Sequence, residues 1–282
     1  MPIRWCAIVK RKDTNLSNEL GTALITGAST GIGAIYADRL VRRGYDLILV
    51  ARQKDKLDAL AERLVRETGR TVKVLPADLS KATELAKVET LLKEDAAITL
   101  LVNNAGIAST AKLVDADVDR MSDIISLNTN ALTRLTYAAV PGFVLRDRGT
   151  VINIASIVAV YPEILNGVYA ASKAFVLAFT QSLQNELKDT AVKAQAVLPG
   201  ATSTDMWELA GTPLANLPVE IVMTADAMVD AALIGFDLGE AVTIPALPDP
   251  KDWQAFENTR LALHPNLSKS EPAARYLPDV AA

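Results

Sequence analysis

The chain predicts a doubly wound α/β fold: one sheet of about seven parallel strands with helices on both faces, in a single domain. Three observations carry this. Seven short, apolar, β-rich runs alternate with segments of helix length, a repeated β-α-β pattern whose strands lie parallel and are covered on both sides. A glycine-rich turn, Thr26-Gly27-Ala28-Ser29-Thr30-Gly31-Ile32-Gly33, joins the first strand to the first helix. With 282 residues, 50% of them apolar and 22% charged, the chain can bury one core of the larger kind.

The strands are expected at 22–26, 46–51, 71–76, 98–103, 150–155, 192–198 and 241–247. Segments 31–43, 54–68, 117–145 and 168–188 have helix length and composition, and another helix starts near Ser80. Ligands of such sheets sit at the carboxyl ends of the strands, so the residues just past each strand carry the chemistry. Residues 1–20 have no place in the alternation and read as an N-terminal extension. Residues 21–247 form the domain, and 248–282 a C-terminal tail packing on or near it, with a short helix around 252–263. Segment 201–224, with Gly211, Pro213 and Pro218, suits a mobile flap over the strand ends.

A net charge of −4 and no long basic run leave no footprint for a nucleic-acid backbone or an anionic membrane, so neither partner is expected. The apolar stretch 5–9 is too short for a signal-peptide core, and no run approaches the ~18 residues of a membrane span. Cys6 is the only cysteine, which excludes an intrachain disulfide and makes the cytoplasm the default compartment. His264 is the only histidine and precedes Pro265, so no metal site is expected and acid–base chemistry must use Tyr, Lys or carboxylates.

Tyr169 and Lys173 stand four residues apart and share one helix face, where an ammonium would lower a phenol from its usual ~10. Ser156 ends the fifth strand and Asn128 lies in the preceding long helix. A Ser156 hydroxyl can polarise a carbonyl oxygen while Tyr169 supplies or removes its proton, although either Ser156 or Asn128 alone also reads as an ordinary structural residue. The turn holding Gly27, Ser29, Thr30, Gly31, Ile32 and Gly33 offers backbone N–H groups and a helix N-terminus to phosphate, or is simply a tight β-α turn. Arg52 ends the second strand, where an NAD-preferring site would place a carboxylate. With Lys54 or Lys56, Arg52 suits a 2′-phosphate, which favours NADP over NAD, or else is a solvated surface arginine. Asp78-Leu79 follows the third strand, where Asp78 either accepts from an adenine amino group or caps the next helix. Asn103-Asn104-Ala105-Gly106 follows the fourth and either meets the cofactor or ties adjacent strands together.

These residues, in this order, resemble the short-chain dehydrogenase/reductase family over about 22–247, with Pro199-Gly200 and Thr204 extending the match. The resemblance implies a Rossmann-like catalytic domain that interconverts a carbonyl and a secondary alcohol by hydride transfer with NADPH. It implies that Tyr169 is the general acid/base, that Lys173 lowers its pKa and holds the nicotinamide ribose, that Ser156 orients the substrate oxygen and that Asn128 anchors a relay water. It also implies that Thr202 and Thr204 contact the nicotinamide end, and that the chain forms dimers or tetramers. The tail of about thirty-five residues departs from members that reduce acyl-carrier-protein substrates.

The largely apolar segment 157–168, with Met206, Trp207 and Leu209, suggests an apolar or medium-sized carbonyl substrate, unless these residues pack on the sheet or on another subunit. The helix of Tyr169 is apolar almost all round through Ala170, Ala171, Ala174, Phe175, Val176, Leu177, Ala178 and Phe179, more than one sheet-facing side needs, which suggests a homodimer or homotetramer. A 3-oxoacyl-thioester reductase would want a basic docking patch that the sequence does not display. A non-catalytic NADP-sensing module would not need a proton relay.

Overall fold

In the computed structural model, which describes residues 20–277, the seven expected strands form one all-parallel sheet. They are β1 (Thr22–Thr26), β2 (Asp46–Ala51), β3 (Val72–Pro76), β4 (Ile98–Asn103), β5 (Thr150–Ile154), β6 (Lys193–Val197) and, after a two-strand interruption, β9 (Val242–Thr243), in the order β3-β2-β1-β4-β5-β6-β9. Every residue of the central β1 and β4 is buried, as strands covered on both faces require, whereas the edge strand β3 buries only Val72 and Leu75. The order reverses between β1 and β4, which places the ligand crevice at their carboxyl ends. The last strand is shorter than the expected 241–247 because Pro245 has no N–H to continue the ladder.

Helices α1 (Gly31–Arg42), α2 (Lys54–Thr68) and α8 (Ala225–Asp237) cover one face over Ile25, Leu47 and Leu49. Helices α3 (Ala82–Glu94), α5 (Leu132–Leu145) and α6 (Gly167–Glu186) cover the other over Leu24, Ile48 and Val50, so the strand alternation sorts each side chain to its layer. Asp38 ties α1 to α2. Burial alone would raise its carboxyl, but hydrogen bonds from Arg42, Arg63 and Arg39 outweigh this and bring it down to about 2. Arg39 also reaches Asp226 and Asp230 on α8.

Two expected elements differ in detail. The long helix 117–145 is split into α4 (Val118–Ile125), a π-helical stretch (Ser126–Ala131) and α5; such widened turns recur where a helix serves a site, and this one carries Asn128. Segment 201–224 carries structure of its own as an arch: β7 (Thr202–Ser203) pairs in parallel with β8 (Met223–Thr224), and α7 (Met206–Ala210) lies between them. Among the described residues no helix is long and apolar enough to cross a membrane.

The chain divides into two compact units at Pro245/Ala246. The second contains α9 (Pro250–Ala262), begun by Asp249 capping Lys251 N–H and by Pro250 in the first turn, with the Trp253 and Phe256 rings stacked at 5.2 Å. Of the expected extension at 1–20, residues 1–19, Cys6 included, lie outside the described residues.

Gly33 shows how tightly the first turn packs: a Cβ there would sit 2.3 Å from the Gly27 carbonyl oxygen and 2.5 Å from Asn104 Nδ2. Gly33→Ala is expected to lower unfolding stability by about 1–3 kcal/mol, the range for overpacking a rigid site. Thermal denaturation indistinguishable from wild type would show that the turn can yield.

Candidate active site

The cofactor end is built from four strand ends. Thr26 Oγ1 donates to Val102 O (3.2 Å) and accepts from the N–H groups of Asn104 and Ala105 (3.0 Å each). Asn104 Nδ2 returns hydrogen bonds to Thr26 O (2.9 Å) and Gly27 O (3.2 Å). Close packing against Asn104 therefore requires glycine at both Gly27 and Gly33. Asn103 ties strands: its Nδ2 donates to Thr136 Oγ1 and to Asn153 Oδ1.

A cleft runs over these ends. It is lined by Gly27, Ser29, Thr30, Gly31 and Ile32, by Arg52 and Lys56, by Asp78 and Leu79, by Asn104, Ala105 and Gly106, and by Thr204 on the arch. Twelve of the sequence-predicted cofactor positions thus share one surface. Helix α1 begins at this surface with no side-chain cap on its N-terminal N–H groups and no acidic residue in its first turn, so its positive end is open to an anion. Arg52 is exposed, while Lys54 is turned to Asp58. Asp78 lines the cleft and accepts from Ser80 N–H (3.0 Å), but it does not cap α3, whose N-cap is Lys81. These groups fit a phosphate-bearing dinucleotide.

Gly33, Pro199, Gly200 and Thr202 do not line the cleft. Thr202 is buried, its hydroxyl donating to Gly200 O and its carbonyl accepting from Trp207 Nε1 (3.0 Å). Pro199 O accepts from Ile157 N–H and from Ser156 Oγ (3.4 Å). Sequence reasoning passed over Gln53, Ala108, Arg120, Leu127 and Asp205, which also face the cleft. Arg120 donates to Ala108 O at 3.4 Å, and only the folding of α4 beside that loop reveals it.

Of the four expected catalytic residues, Ser156, Tyr169 and Lys173 gather around the end of β5 and the first turns of α6, and Asn128 reaches α6 from the π-helical stretch. Tyr169, Ser156, Lys173 and Asn128 are all buried. Lys173 Nζ donates to Ile154 O (2.8 Å) and stands 5.8 Å from the Tyr169 ring centroid. Asn128 Oδ1 accepts from Ile107 N–H (2.9 Å), while its Nδ2 donates to Ile107 O (3.0 Å) and Ser172 Oγ (3.1 Å). Its side chain therefore clamps the loop after β4 to α6.

The electrostatics correct one expectation. Burial pushes the Tyr169 phenol up to about 12, only partly opposed by its hydrogen bond with Ser156, and burial brings the Lys173 ammonium down to about 8. Desolvation dominates the Tyr169–Lys173 pair, and the ammonium does not pull the phenol down as the spacing alone suggested. At neutral pH the site holds a protonated phenol beside a protonated amine. Among the described residues there is no cluster able to hold a metal ion.

A family model described as short chain dehydrogenase matches residues 21–213, and the chain belongs to that family. A short-chain dehydrogenase from Sphingobium yanoikuyae, solved in complex with NADPH, is 48% identical with a TM-score of 0.88 over 91% of this chain and 100% of that one. A bulky-bulky ketone specific alcohol dehydrogenase from Comamonas testosteroni is 43% identical with a TM-score of 0.84, over 94% and 100%. Human 17-beta-hydroxysteroid dehydrogenase type 3 is 35% identical over 214 residues, 75% of this chain, and the match spans 66% of that relative's length.

As pH rises through about 8, Lys173 loses its charge before the phenol begins to ionise. The difference in 295 nm absorbance between wild type and Tyr169→Phe should therefore stay flat up to about pH 10. A tyrosinate step below pH 9 would restore Lys173 as the dominant influence.

Proposed function

We propose that the protein is an NADPH-dependent oxidoreductase that reduces bulky, largely apolar ketones to secondary alcohols, and runs the reverse oxidation. The observation that carries this is the buried, protonated Tyr169 in hydrogen-bond contact with Ser156 and beside Lys173, in the same fold unit as a cleft that presents an open helix N-terminus and Arg52. Bound NADPH would supply the hydride. Gly31, Ser29 and Thr30 would hold its pyrophosphate, and Arg52 with Lys56 its 2′-phosphate.

Ser156 and Tyr169 would both hydrogen-bond the substrate carbonyl oxygen, orienting it and stabilising the charge that grows there as the phenol delivers its proton. Lys173 would meet the nicotinamide ribose and hold positive charge near the phenol. Asn128 has both side-chain polar atoms engaged, so its part in a proton relay would come through the main chain that the π-helical turn distorts.

The substrate class rests on Met206 and Leu209, which line the cleft, and on the similarity to the bulky-bulky ketone specific alcohol dehydrogenase. The assembly reading rests on a stacked aromatic face: Phe179 lies 6.4 Å from Tyr137 and 5.8 Å from Phe175 between ring centroids, with Tyr137 68% and Phe175 42% exposed. A second copy of the chain would cover it, in a homodimer or homotetramer.

Tyr169→Phe is expected to bind NADPH as wild type does and to lose about 10²–10⁴-fold in turnover across an aryl-ketone panel. Wild-type-like turnover would end the acid assignment, and activity confined to anionic carbonyls would end the substrate class. Light scattering should show at least a dimer that Phe175→Glu dissociates. A wild-type monomer at working concentration would refute the assembly.

A further inference from the structure

Asn166 stands three residues before Tyr169 and is 93% buried, its exposure being 7%. It is the N-cap of α6: Oδ1 accepts from the N–H groups of Val168 (2.9 Å) and Tyr169 (3.3 Å), and its main-chain carbonyl accepts from Ala170 N–H (2.9 Å). A cap alone uses only the oxygen. Here the amide nitrogen is also committed, donating to Ala111 O at 2.6 Å across fifty-five residues of sequence.

The neighbour of Ala111 holds the arch. Thr110 N–H and Thr110 Oγ1 both donate to Ala210 O (3.0 Å each), and Thr212 Oγ1 donates to Thr110 Oγ1 (2.9 Å). Ala210 packs in the same apolar cluster as Tyr169, Met121 and Val158. An unbroken strap therefore runs from the arch, through Thr110 and Ala111, to the Asn166 amide and the backbone of Tyr169 itself.

We infer that Asn166 is a positioning residue for Tyr169, and that its amide links the seating of the 201–224 arch to the placement of the catalytic phenol. The inference rests on the reading of Tyr169 as the acid. The oxygen of Asn166 fixes the first turn of α6 and so the phenol's height over Ser156. The nitrogen makes that placement depend on the loop that the arch clasps when it covers the cleft.

The two halves of the side chain separate by substitution. Asn166→Ala removes both, Asn166→Ser keeps a capping oxygen but is too short to reach Ala111, and Thr110→Val cuts the hydroxyl links to the arch. With NADPH and the best aryl ketone of the panel, Asn166→Ala should lower kcat at least about tenfold while the NADPH Kd, read by nicotinamide fluorescence, stays within about twofold. Asn166→Ser should recover kcat to within about threefold of wild type while leaving KM raised. Thr110→Val should raise KM on its own yet add little in the Asn166→Ser background, because the strap is already cut there. Wild-type kcat in Asn166→Ala, or full additivity of Asn166→Ser with Thr110→Val, would overturn the inference. Should Asn166→Ala fail to fold, the Ser and Val pair carries the test. An inactive Tyr169→Phe control beside a wild-type-like Asn166→Ala overturns this inference alone, whereas an active Tyr169→Phe overturns it together with the acid assignment.

Discussion

Thr26 and Asn104 hold the end of β1 to the loop after β4, and the site depends on that join. One threonine hydroxyl donates once and accepts twice, and one asparagine amide closes the glycine turn from the other side. Each backbone group left unsatisfied by breaking such a join costs about 1–3 kcal/mol. The larger consequence is geometric. The join sets the glycine turn against Asn104–Gly106, and the next residue, Ile107, is gripped by Asn128, whose amide also holds Ser172 on α6. Ser172 in turn donates to the Tyr169 carbonyl (2.7 Å). The phosphate end and the proton end are thus linked by a run of short polar contacts that the sheet alone would not provide.

Burial then decides the chemistry. In water a phenol and an ammonium four residues apart would be read as a charge pair. Inside this fold both resist ionisation, so the phenol stays protonated and the lysine stands only about one unit above neutrality. Lys173 spends a hydrogen bond on Ile154 O, which anchors it at the end of β5 next to Ser156. A protonated phenol is the form that a carbonyl oxygen gaining negative charge requires. Making phenolate for oxidation needs additional positive charge brought to the site with substrate and cofactor.

Much of this was legible in the chain because the signals are local. Continuous apolar runs mark the buried strands β1 and β4, and the glycine turn and the Tyr169–Lys173 spacing sit on single elements. Tertiary events were not legible: the split of helix 117–145, the arch's own two-stranded pairing, the approach of Arg120 to the cleft, and the outcome of the contest between burial and charge at Tyr169. Asn166 was not singled out in the sequence, and its capping of α6 is seen only in the structure. Its second bond, to Ala111, belongs to the folded chain alone.

Of the proposed roles, that of Arg52 as reader of a 2′-phosphate is the quickest to test. Parallel titrations of the purified protein with NADPH and NADH, followed by nicotinamide fluorescence at one moderate salt concentration, measure it directly. The account predicts NADPH binding tighter by about tenfold or more, as a phosphate paired with Arg52 and Lys56 requires. Equal or tighter binding of NADH would contradict the assignment of Arg52, and binding of neither would contradict the cofactor cleft itself.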